Sequence, residues 1–119
     1  MLSKYYQNKE MIPANDALKV IAGKWSLSIL AVLCSNKIIR YNELKRQVSG
    51  ITGTMLNQSL KEMIEYGLIH RVQYNEVPPK VEYSLTEAGK ELSPIIEQLV
   101  LWGEKNLERT KLPQSTDTE

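Results

Sequence analysis

A mainly α-helical (α+β) chain carrying one small β-hairpin is the fold class that the sequence predicts, and three observations carry it. Apolar residues recur at helical spacing in five separate segments. Two short runs, "LIHRVQY" at 68–74 and "VEYSL" at 81–85, are instead rich in β-branched and aromatic residues and are bounded by turn formers. A length of 119 residues makes one ordinary domain, long enough to bury a core and too short for a second.

In the first helix Asn15 or Asp16 is the cap, Ala17, Leu18, Ile21 and Ala22 recur along one side, and Gly23 is the stop. "KWSLSILAVLCSN", residues 24–36, is then apolar nearly all round, with Trp25, Ile29, Val32 and Leu33 on one side and Leu27, Leu30 and Cys34 on the other. A helix of that kind is a central one, buried on most faces. Cys34 is accordingly expected as a small core residue rather than a reactive thiol. After the connector "NKIIRY", Asn42 caps a short helix with Glu43 in its first turn and Leu44 and Val48 spaced to face inward. "SGITGT" is a linker. The helix at 52–67, "TGTMLNQSLKEMIEYG", is capped by Thr52 and stopped by Gly67, with Leu56, Leu60, Met63 and Ile64 as its apolar stripe. Its other side presents Thr54, Asn57, Gln58 and Lys61, a row of hydrogen-bonding side chains with no acid before Glu62.

Two helices joined by a short turn, the second carrying such a row at its start, are what a helix-turn-helix requires. The second helix enters the major groove by its N-terminal end, where amides suit adenine and a lysine suits guanine or phosphate. The two β runs follow as an antiparallel hairpin, with Val81, Tyr83 and Leu85 on one face and Glu82 and Ser84 on the other. The loop "NEVPPK" at 75–80 holds both prolines outside the ladder, where a missing N–H costs nothing. Helix, helix, hairpin is the order of a winged helix-turn-helix, with the hairpin as wing. His70 shares a strand face with Val72 and Tyr74 and is expected at the edge of the core.

Thr86 caps the last helix, with Glu87 in its first turn. Ala88, Leu92, Ile95, Ile96, Leu99, Val100, Trp102 and Leu107 cover a band far wider than one core contact requires, and Leu101 lies opposite. That surplus makes it a long C-terminal dimerisation helix, with Ile96, Leu99, Val100 and Trp102 at the interface of a homodimer.

Charge divides unevenly along the chain. Eight Lys and Arg face four acids between Lys24 and Lys80, whereas four face seven from Thr86 onward. A basic centre beside an acidic tail hints at a polyanion partner. One cysteine makes no internal disulfide, and one histidine with it leaves few ligands for zinc. No paired carboxylates or activated serine accompany His70, so no catalysis, cofactor or metal is expected. No run of about 18 apolar residues exists to span a membrane. The start, "MLSKYYQNKEMIPAND", lacks the apolar core of a secretion signal, which leaves a cytoplasmic reading.

The segments "ALKVIAGKWSLSIL", "RYNELKRQVSGITGTMLNQSLKEMIEYGLI" and "YNEVPPKVEYSLTEAGKEL", with "WG" at 102–103, occur in the order seen in the HxlR-type bacterial transcriptional regulators, a group related to the MarR-type proteins. The chain resembles that family from about Pro13 to Gly103. The resemblance implies a sequence-specific DNA-binding regulator that acts as a homodimer on a pseudo-palindrome of double-stranded DNA, with an effector of unknown identity. In that frame the helix from about Thr54 to Tyr66 reads bases through Thr54, Asn57, Gln58 and Lys61, while Arg40, Lys45, Arg46 and the wing's Lys80 contact the backbone. Residues 1–13 form an N-terminal arm, 14–108 the DNA-binding and dimerisation domain, and 109–119 a flexible tail without apolar periodicity. Several members of the family sense oxidants through a cysteine before the N-terminal proline; Ile12 stands there before Pro13. Two alternatives remain beside DNA readout: a protein-interaction module working through the last helix, and a redox switch through Cys34.

Overall fold

A computed structural model describes residues 11–108, so the expected tail at 109–119 and most of the expected arm lie outside the described residues. The order is α1 (Ile12–Ile21), α2 (Ser26–Ser35), β1 (Ile39–Arg40), α3 (Tyr41–Gln47), α4 (Gly53–Glu65), β2 (Ile69–Tyr74), β3 (Lys80–Leu85) and α5 (Glu87–Asn106). The five helices and the wing occur in the order that the sequence predicts. Ile29, Leu30, Leu33, Leu44, Leu56 and Met63 are fully buried, and Ile39, Val48, Ile51, Leu60, Ile69, Tyr83 and Leu85 complete the core around them.

Several expectations are corrected. Helix α1 starts earlier than a cap at Asn15 or Asp16 would allow; Met11 is its N-cap, without a side-chain bond, and Pro13 lies in its first turn. Proline suits that turn because the N–H it lacks would have no helical partner there. The expected arm boundary at residue 13 therefore falls inside α1. Nor does Asn42 cap α3. The chain passes directly from β1 into the helix through Arg40, whose backbone is extended, so Asn42 is already one residue inside.

"NKIIRY" is more than a connector. Ile39 pairs with Tyr83 and Arg40 with Glu82, which adds β1 to the hairpin and makes a three-stranded antiparallel sheet in the order β1-β3-β2. Helix α2 is less enclosed than its composition suggests: Ile29, Leu30 and Leu33 are buried, but Leu27, Ala31 and Cys34 are exposed. The core reaches one side of α2 only, and Cys34 lies off that side.

The face assignment of β2 is also reversed. Ile69 pairs with Leu85 and Arg71 with Tyr83, so Ile69, Arg71 and Gln73 share the inner face. His70, Val72 and Tyr74 stand opposite Ser84, Glu82 and Lys80 on the outer face, and all three are exposed rather than at the edge of the core.

Where capping was legible, it is realised. Thr52 Oγ1 accepts from Met55 N at 3.1 Å, and Gly67, at φ +79°, ends α4 in the left-handed region that glycine enters freely. Gly50, at φ +84°, turns the chain between α3 and α4, while Val48 and Ile51 anchor that turn in the core. Trp25 Nε1 donates to Met55 Sδ at 3.1 Å, which ties the start of α2 to the first turn of α4.

Candidate nucleic-acid interface

Helix α4 buries Leu56, Leu60 and Met63, and the opposite side necessarily exposes Thr54, Asn57, Gln58 and Lys61. Beside it a cleft of about 800 Å³ runs between α3, α4 and the wing. Arg40, Arg46, Asn57, Arg71, Pro78, Pro79 and Lys80 line it. A second depression continues along α4 past Asn57 and Lys61 and again includes Arg71. Tyr41 sits under this surface, its hydroxyl 3.5 Å from the Gly53 carbonyl and its ring 6.5 Å from that of Tyr83, so it joins α3 to both α4 and the sheet.

Asn57 lines the cleft, and Asn57, Gln58 and Lys61 share a further depression along α4, whereas Thr54 lines neither. Gln58 also turns to Glu62, donating at 3.4 Å. Lys45 passes beside Gly53 at the N-terminal end of α4. Arg46 pairs with Glu43, and the Gln47 amide donates to the same carboxylate at 2.9 Å. The Gln47 hydrogen bond lowers the pKa of the Glu43 carboxyl, burial opposes it, and the charge and hydrogen bond of Arg46 add to the lowering.

Lys80 is less available than a wing-tip cation should be. Its side chain is 22% exposed, its Nζ lies 3.6 Å from Glu76 and 4.0 Å from Glu82, and it stands 4.4 Å from the centre of the Tyr74 ring. The Glu82 carboxylate, through hydrogen bonding and charge, raises the pKa of the Tyr74 hydroxyl. What projects at the tip is Val77, fully exposed, before a cis Val77–Pro78 bond and Pro79.

Sequence reasoning missed Arg71. Its signal was available in the strand's period of two, which groups it with Ile69 once Ile69 is taken as the inward residue. The apolar look of Val72 and Tyr74 pointed to the opposite face.

At the other end of the molecule, α5 lays Leu92 and Ile96 against the core and leaves Ile95, Leu99, Val100, Leu101 and Trp102 exposed, Trp102 at 59%. Ile96 therefore packs within its own chain, while Leu99, Val100 and Trp102 remain open. Among the described residues no single helix is long and apolar enough to cross a membrane.

Five helices, a three-stranded sheet and a helix pair flanked by a hairpin define a winged helix-turn-helix protein. Residues 20–111 match the family model described as HxlR-like helix-turn-helix. An uncharacterized HTH-type transcriptional regulator, BH0655, of Halalkalibacterium halodurans is 45% identical over 100 residues, 84% of this chain and 88% of that one. A MarR-family protein from Porphyromonas gingivalis W83 superposes with a TM-score of 0.73 at 45% identity, over 81% of this chain and 93% of the other. The redox regulator HypR in its oxidized form gives a TM-score of 0.71 at 43% identity, over 81% of this chain and 98% of that one. The chain belongs to the HxlR-like helix-turn-helix family. It is a transcriptional regulator of helix-turn-helix type, and its relatives are regulators rather than enzymes.

Proposed function

We propose that this regulator binds double-stranded DNA sequence-specifically, as a homodimer on a pseudo-palindromic operator in the cytoplasm. The observation that carries the reading is the cleft that Arg40, Arg46 and Arg71 share with Asn57 of α4, in which Glu43, paired with Arg46, is the one acid. Amide side chains at the start of α4 read base edges in the major groove, and the arginines beside them take the flanking phosphates. Arg71 joins the expected backbone contacts, and Lys80, already neutralised by two acids, contributes less than its position suggested. Leu99, Val100 and Trp102 of α5, with Leu27 and Ala31 of α2, supply apolar surface for a second copy. In such a dimer two copies of α4 meet successive major-groove faces about 34 Å apart.

The test is equilibrium binding of the full chain to genomic DNA fragments across a salt series. Affinity that falls linearly on a logarithmic salt scale, with one fragment class held far above the rest, supports the reading. Absence of binding at low salt, with a stable complex to another protein, would favour the interaction-module alternative.

A second reading concerns Cys34. Its exposure, and the likeness to a redox regulator, favour a thiol switch in which an external two-electron oxidant such as a peroxide joins Cys34 to the thiol of another molecule as a disulfide, both thiols losing their protons, since the chain has no second cysteine.

A further inference from the structure

Met55 stands in the first turn of α4, its backbone N–H held by Thr52 Oγ1 and its thioether sulfur accepting the Trp25 indole N–H at 3.1 Å. The same indole reaches the turn before α4, with its Cη2 3.9 Å from where a Gly50 Cβ would stand. Trp25 thus braces the entry of α4 at two points, and one of them is a sulfur. We propose that Met55 is an oxidation site, converted to the sulfoxide by a peroxide, and that the added oxygen breaks this tie between α2 and α4.

A small oxidant can reach the sulfur. Met55 is half-buried and lines a surface depression of about 180 Å³ with Trp25, Ser26 and Ser59, whereas Met63, further along the same helix, is 2% exposed in the core. In the reaction the sulfur attacks one oxygen of the peroxide, so that an S–O bond forms as the O–O bond breaks. The departing hydroxide then takes the proton from the oxygen left on sulfur, giving the sulfoxide and water. Sulfur loses two electrons and the peroxide gains them, and a flexible apolar side chain becomes a polar one.

The sulfoxide does not fit the present geometry. An oxygen that accepts from the indole must lie about 2.9 Å from Nε1 with the S–O bond behind it, so the sulfur has to withdraw from its 3.1 Å contact. The other arrangement directs the oxygen into the depression, toward the hydroxyls of Ser26 and Ser59, and leaves the indole N–H without its acceptor. Both arrangements end the bond between Nε1 and Sδ. The Thr52 cap is made by the Met55 backbone and survives, so the helix persists while its attachment to α2 loosens. Asn57 and Gln58 follow directly in α4, and the loosening would disturb base reading there. That consequence rests on the DNA-binding reading; the oxidation itself does not.

The chain has two tryptophans, so a proton–nitrogen correlation spectrum carries two indole N–H signals, and Trp25→Phe identifies the relevant one. Full-length protein with Cys34→Ser, which removes the only thiol, is treated with hydrogen peroxide while peptide mass spectrometry follows each methionine. Met55 should oxidise about tenfold faster than Met63, and the Trp25 signal should shift in step with it while helical content holds; methionine sulfoxide reductase should return the signal. In Met55→Leu the same treatment should leave the signal in place. The proposal is overturned if Met55 oxidises no faster than Met63, if the Trp25 signal stays put as Met55 is oxidised, or if it moves equally in Met55→Leu. No DNA enters these measurements, so their failure would leave the DNA-binding reading standing.

Discussion

Gly89 in the first turn of α5 presses its bare α-carbon against the Leu68 carbonyl: a Cβ there would stand 2.3 Å from that oxygen. The oxygen cannot easily retreat, because it accepts the Thr86 N–H at 2.9 Å. Thr86 itself donates its hydroxyl to the Gly67 carbonyl at 2.7 Å and accepts from Gly89 N at 3.0 Å. The end of α4, the start of the wing and the start of α5 are thereby locked at one point. Gly89→Ala should lower unfolding free energy by about 1–3 kcal/mol through overpacking, measured by urea denaturation. An unchanged midpoint would mean that the joint is looser than this geometry requires.

DNA contacts of different kinds should fail differently. Replacing Asn57 or Gln58 by Ala should cost about 1–3 kcal/mol on the cognate site and relax preference at one base position, whereas Arg71→Ala should weaken binding to all sequences and reduce the salt slope by about 1. Fluorescence anisotropy on cognate and random duplexes separates the two. Equal losses on both duplexes for the amide variants would argue against base readout.

Lys80 offers a sharper comparison. Its ion pairs with Glu76 and Glu82 already cancel much of its charge, so Lys80→Ala should reduce DNA affinity less than Arg71→Ala in the same assay. The reverse order would mean that the wing rearranges and releases Lys80 when DNA binds.

The exposed band of α5 should govern assembly. Trp102→Asp or Leu99→Asp introduces a charge where an interface would be dry, and a central aromatic anchor is commonly worth about 2 kcal/mol or more, roughly thirtyfold in the dimer dissociation constant. Sedimentation velocity should show a shift to monomer with helical content preserved. A dimer that survives both substitutions would place its interface elsewhere.

Cys34 should react with a small alkylating reagent in the native state at a rate close to that in denaturant, since its side chain is exposed. Inertness until denaturation would end the redox reading.

Much of this architecture was legible because it depends on neighbours in sequence. Thr52 and Thr86 cap their helices by bonds to residues three positions on, and Gly67 ends α4 by its own backbone freedom. What escaped depends on distant partners. Two residues of β1 carry no periodicity and become a strand only because Tyr83 and Glu82 lie alongside. The inner face of β2 follows from its register with β3 and not from the hydrophobicity of Val72 and Tyr74. Cys34 looks like a core residue in an apolar helix, yet which side of α2 the core occupies is decided by α3, β3 and α5. For the interface, the exposed row on α4 could be read from helical spacing; the inclusion of Arg71 and the partial neutralisation of Lys80 required the folded wing.

The central claim is sequence-specific binding by a symmetric pair, and one selection of bound genomic fragments by the full chain tests it most directly. The enriched fragments should share a pseudo-palindrome whose half-site centres lie about one helical turn, or a multiple of it, apart. Fragments enriched without a common motif, or with an unpaired single half-site, would contradict it.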